Sequence, residues 1–156
     1  MTFKEYVDAL GGELGVEIET DGEACAFALG GDEGRDIDVV LLGFDERGML
    51  LSCADLGEPP SGQRERLYRA MLEANDLFGD TAGATISINR ATGRVRLQRY
   101  DDVDALANIG PAKALVAFAE TAARWQRLVS DFREADASRP PADAQEQLPP
   151  TGSMVV

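Results

Sequence analysis

Two apolar runs, 37–44 (IDVVLLGF) and 49–56 (MLLSCADL), stand on either side of Asp45-Glu46-Arg47-Gly48. A four-residue connection ending in Gly between two β-rich runs is a hairpin signal, because Gly supplies the positive φ that such a turn needs. Both runs are apolar on both faces over much of their length, which predicts central strands covered on both sides. A sheet of this kind needs helices against it. The clearest supplier is 111–133, where Leu115, Phe118, Ala122, Trp125, Val129 and Phe132 recur at spacings of 3, 4, 3, 4 and 3. That is one face of an amphipathic helix, and Pro111 suits its first turn.

The other elements follow from the same two periods. Residues 2–11 carry Phe3, Tyr6, Val7 and Leu10 at helical spacing, with Gly11-Gly12 as the expected stop. Val16 and Ile18 alternate with Glu17 and Glu19 before the turn Asp21-Gly22, and 24–29 (ACAFAL) puts Cys25, Phe27 and Leu29 on one face. Pro59-Pro60 breaks the second apolar run, and Ser61 is the expected N-cap of a helix over 62–75. That helix turns Leu67, Met71, Leu72 and Ala74 toward an interior. Residues 84–89 and 94–100 alternate as strands around Arg90-Ala91-Thr92-Gly93. From Glu134 onward the Pro-, Ala- and acid-rich sequence predicts a disordered tail, 134–156, behind a single domain over 1–133.

The chemistry the chain lacks is as informative. It has no histidine, which removes Ser-His-Asp and Cys-His nucleophiles together with the commonest general base and metal ligand. Cys25 and Cys53 lie apart in apolar runs, so they read as buried free thiols of a reducing compartment rather than as a zinc site. The carboxylates of 32–38 (DEGRDID) lack the ligand order, the central Gly and the distal Glu of a calcium loop. The Gly-rich 30–34 lacks the following Lys-Ser or Lys-Thr of a phosphate cradle. The reading is therefore a non-enzyme with no cofactor and no metal.

Charge narrows the partner. Residues 1–58 hold three basic and fifteen acidic side chains, whereas 59–133 hold eleven basic and nine acidic, within a formal net charge of −13. Nucleic acid needs concentrated positive charge, and Arg94, Arg96 and Arg99 are the one candidate patch in an acidic molecule. Nucleic acid and anionic membrane are both disfavoured. No run approaches the length of a membrane span, and the N-terminus lacks the order of a secretory signal, so a cytoplasmic protein is expected.

The order is helix, three strands, helix, two strands, long helix. Within it, "LYRAMLEAN" is followed by "GATISINRATGRVRLQRY" and then by a helix containing "FAETAARW". In this the chain resembles the Tir chaperone (CesT-type) family, the small acidic chaperones of bacterial type III secretion. The likeness runs over residues 2–133 and includes the Leu-x-x-Asn helix end, here Leu72-Glu73-Ala74-Asn75. It implies an α+β fold of order α-β-β-β-α-β-β-α, a twisted antiparallel sheet flanked by helices. It also implies a homodimer that binds an extended segment near the N-terminus of a secreted effector and keeps it soluble and export-competent. The alternative is an interaction or regulatory module of the same fold with no link to secretion. By the resemblance, the helix 62–75 and the adjoining sheet build the two-fold interface, with Leu67, Tyr68, Met71, Leu72 and Ile86 as candidates. The effector groove is expected at an N-terminal sheet edge formed by 16–19. Val7, Leu10, Leu14, Val16, Ile18, Phe27 and Leu29 would line it, and Glu13, Glu17 and Glu19 would rim it, because an edge strand offers unpaired backbone groups to an extended peptide.

Overall fold

The computed structural model describes residues 1–31 and 34–139. It opens with helix α1 (Phe3–Leu14), followed by strands β1 (Ala24–Leu29), β2 (Ile37–Phe44) and β3 (Met49–Gly57). Helix α2 (Arg64–Asn75), strands β4 (Thr85–Ile88) and β5 (Val95–Asp102), and helices α3 (Val103–Ile109) and α4 (Pro111–Ala137) complete it. The strands form one antiparallel five-stranded sheet in the order β1-β2-β3-β5-β4. The α+β class and the expected element order hold, with α3 added.

Local sequence explains where the elements begin and end. Thr2 and Glu5 close a capping box on α1, and the carboxylate of Asp45, in the β2–β3 turn, accepts the Phe3 N–H at 2.6 Å. The helix does not stop at Gly11-Gly12; it runs to Leu14 and ends on Gly15, whose φ of 68° provides the left-handed cap. Gly11 serves a different purpose. The chain doubles back after Gly15, and a Cβ on Gly11 would lie 2.7 Å from the Val16 carbonyl oxygen. Ser61 is not the cap of α2 either, since its hydroxyl and the Gly62 N–H both donate to Asp136 on α4, at 3.3 and 3.0 Å, and α2 begins at Arg64. The unforeseen α3 starts where Asp102 accepts the Ala105 N–H at 2.8 Å. Helix α4 continues to Ala137, past the expected 133; of the tail read over 134–156, residues 140–156 lie outside the described residues.

One face of the sheet is covered. Ile37, Val39, Leu41 and Gly43 on β2, with Leu50, Ala54 and Leu56 on β3 and Val95 and Leu97 on β5, meet α1 and α4 in a single core. Phe3 of α1 sits on Gly43, and Val129 of α4 approaches Gly57. Phe118 lies under the Arg99 guanidinium, whose carbon stands 5.8 Å from the ring centre. The expectation of central strands covered on both sides is corrected here. The opposite face carries Val40, Leu42, Phe44, Leu51 and Tyr100, and Val40 and Phe44 remain 36% exposed. Phe44 and Tyr100 pack edge to face there at 5.6 Å. Among the described residues no helix is long and apolar enough to cross a membrane.

Candidate functional site

A sheet of this order has two edges, β1 and β4. On β1 the backbone direction is fixed by the Gly43 N–H, which donates to Glu23 O at 2.7 Å and turns Glu23 toward β2. In an antiparallel ladder the backbone groups of successive residues point to alternate sides. Cys25, Phe27 and Leu29 therefore bond to β2, while Ala24, Ala26 and Ala28 face outward. Ala24 is engaged by Asp21 through a reciprocal pair of bonds at 2.8 and 3.1 Å. Ala26 and Ala28 are exposed, and among the described residues their outward N–H and C=O groups have no partner. This is the open edge of the sheet.

The edge lies one strand away from where the sequence places it. Residues 16–19 join no strand; they run as irregular chain across the end of α1, with Val16 56% and Leu14 40% exposed. Beside the open edge, Leu14, Leu29 and Ile37 meet Leu115, Val116, Ala119 and Ala123 of α4 around a cavity of about 420 Å³, with Glu120, Arg124 and Arg127 at its rim. A second hollow, more polar, is bordered by Val16, Glu17 and Ile18 against the outer turn of α1.

Of the residues read from the sequence, Leu14 and Leu29 come together at the apolar cavity, and Val16 and Ile18 at the second hollow. Phe27 is half-buried and packs on the core. Val7 and Leu10 are 1% and 0% exposed and belong to the core that seats α1, with Val7 also bordering the second hollow. Glu13 is already engaged within the chain. Its carboxylate accepts the Ala112 N–H at 2.8 Å and holds the N-terminus of α4, where an anion is favoured. Val116, Ala119 and Ala123 escaped the sequence reading because the flank of an amphipathic helix carries no marker of what lies beside it.

The candidate interface set divides in the same way. Leu67, Met71 and Ile86 are 0%, 4% and 3% exposed and lie inside this chain's own core. Tyr68 is half-buried, and Leu72, expected inward, is 71% exposed. Next to it Leu77 and Phe78 are 89% and 51% exposed, on backbone with positive φ.

Elsewhere two of the arginines are held in ion pairs. Arg94 grips Asp55 with two bonds at 2.6 and 3.0 Å, which raise its pKa, and Arg99 donates to Asp101 at 2.6 Å. Arg96 shares the open face with Arg94, while Arg99 lies on the helix face, so the three arginines form no common patch. Both thiols are free and buried, and burial pushes both pKa values up, away from the thiolate a nucleophile needs. Among the described residues no cluster of three or more His, Cys, Asp or Glu side chains could hold a metal ion.

A sequence model of the Tir chaperone protein (CesT) family matches residues 6–126. Three solved structures share the fold. The HopA1-SchA chaperone-effector complex contains a chain 18% identical, with a TM-score of 0.61, aligned over 85% of this chain and 93% of that one. In the ExsC-ExsE complex the figures are 22% identity, a TM-score of 0.56, and 80% and 91% coverage. In the heterodimeric ExoU-SpcU complex from the type III secretion system of Pseudomonas aeruginosa they are 22%, 0.52, and 82% and 95%. No curated protein sequence matches the chain.

Proposed function

This chain belongs to the Tir chaperone protein (CesT) family, and from that premise we propose that it is a cytoplasmic homodimer that binds an extended N-terminal segment of a type III secreted effector. It holds that segment soluble and competent for export, with no catalytic step and no cofactor. The observation that carries the reading is the open β1 edge beside an apolar cavity. An incoming strand gains backbone bonds from Ala26 and Ala28, and its alternate side chains reach Leu14, Leu29 and the flank of α4. The two alanines are small, so a large side chain on the partner can lie over Ala26 and touch Val40, its neighbour on β2. A chaperone-effector complex among the structures of the same fold supports the partner class.

The test is co-expression with the N-terminal segment of the protein encoded beside this chain's gene. The segment is expected to be soluble with the chain and insoluble without it. Leu14→Asp removes an exposed apolar contact and is expected to weaken the complex about 10- to 100-fold, the worth of burying one Leu, with the melting temperature unchanged. Normal binding by that variant would place the segment elsewhere. A neighbouring protein that binds but is not exported would favour an interaction module outside secretion.

The homodimer is proposed to form through the exposed side of α2 and the turn after it, where Leu72, Leu77 and Phe78 are joined by the edge of Tyr68. Leu72, Leu77 and Phe78 lie within seven residues of one another and remain exposed in the single chain. Leu72→Asp is expected to convert a dimer to a monomer in sedimentation at micromolar concentration, since a charge at such a position costs several kcal/mol unless paired. A wild-type monomer at that concentration would remove the proposal.

A further inference from the structure

The two edges of the sheet are finished differently. On β4 the register pairs Ile86 with Leu97 and Thr85 with Gln98, and the backbone of Ile86 faces outward. Its N–H donates to Asn75 Oδ1 at 2.8 Å, and its C=O accepts from Asn75 Nδ2 at 2.9 Å. A primary amide that offers its oxygen and its NH₂ to one residue reproduces the pair of bonds a neighbouring strand would make. The previous outward position, Ala84, has its N–H taken by Thr81 O at 3.0 Å. Asn75 is the last residue of α2, and Leu77, with φ of 53°, turns the chain away behind it. The side chain matches the task closely. Asp lacks the donor, Ala lacks both groups, and Gln adds a methylene that displaces the amide from the ladder.

We propose that Asn75 decides which edge of this sheet accepts a strand: it closes β4 against edge pairing with a second copy of the chain and confines strand addition to β1. The inference concerns the edge that the proposed effector reading leaves unused, and it stands whether or not β1 takes an effector. An exposed strand edge is a template for association, and with the Ala84 N–H and both Ile86 groups engaged, the outward groups of Ile88 at the strand's end are too few for another strand to pair with.

Amide hydrogen exchange of the wild-type chain tests this without a variant. The Ile86 amide, although it faces outward, is expected to be protected at least about 100-fold more than the amides of Ala26 and Ala28. In Asn75→Ala that protection should fall by about tenfold or more. The variant should also sediment as species larger than the wild type, and adding Thr85→Lys, a charge on the face of β4 away from the core, should remove them. An Ile86 amide that exchanges as fast as Ala26 in the wild type overturns the proposal. So does an Asn75→Ala chain that loses the Ile86 protection yet keeps the wild-type assembly.

Discussion

Ala28→Pro is expected to lower affinity for the effector segment by at least about tenfold while leaving the melting temperature nearly unchanged. Ala28 is exposed and its N–H points away from β2, so a proline there removes no bond of the sheet. It does remove the N–H an added strand would use, and its ring stands where that strand would lie. One lost backbone bond is worth about 1 kcal/mol, and the steric obstruction adds to it. Phe27→Pro makes the contrast. Phe27 bonds inward to β2, so its proline variant should unfold or lose much of its stability. Fluorescence anisotropy with a labelled segment, with thermal melts of both variants, separates the outcomes. Equal binding by Ala28→Pro and wild type would move the partner away from the β1 edge.

Gly43→Val is expected to be strongly destabilising. Gly43 lies directly beneath Phe3, and a Cβ there would overlap the Phe3 Cβ and ring. Neither side can yield: Gly43 is held in the ladder opposite Leu50, and Phe3 is 1% exposed and anchored through its N–H to Asp45. Overpacking of this kind costs about 3 kcal/mol, or a fall of about 6–12 °C in Tm for a domain of this size. The double variant Gly43→Val with Phe3→Ala should recover part of the loss, because the two sites are in contact and their effects are not additive. A melt unchanged by Gly43→Val would mean that α1 is not seated on β2 as described.

Much of the fold is legible in the sequence because the two periods are clean. Ala24–Leu29 and Ile37–Phe44 fall on the bounds read from alternation and turn residues, and the buried stripe of α4 is the one its spacing predicts. Failures fall where the deciding atom comes from elsewhere in the chain. Gly11 looks like a stop, but it is a glycine because the Val16 carbonyl returns over it. Ser61 looks like a cap, but Asp136 draws it toward α4. The candidate site divides by the same rule. Val7, Leu10 and Leu14 read alike as apolar candidates for one groove, yet only the packed structure shows that Val7 and Leu10 are covered and that Leu14 emerges on a last turn of α1 the sequence reading did not give it. Asn75 could be read as the end of a helix, but its pair of bonds to Ile86 exists only once β4 is in place.

The sheet order also sets an order of assembly. Strands β1, β2 and β3 are joined by short connections and form a meander from local contacts. Strand β5 must then find β3 across the whole of 58–94, and β4 can pair only with β5. Local closures are fast, and those that must first gather a long loop are slow. A nascent chain that has emerged as far as β3 therefore holds a three-stranded half-sheet with two open edges, until β5 zips along eight residues of register and buries one of them. Most of the acidic side chains lie in that first half, in the segment 1–58. Like charge keeps such half-sheets from meeting one another during the interval in which β3 has no neighbour.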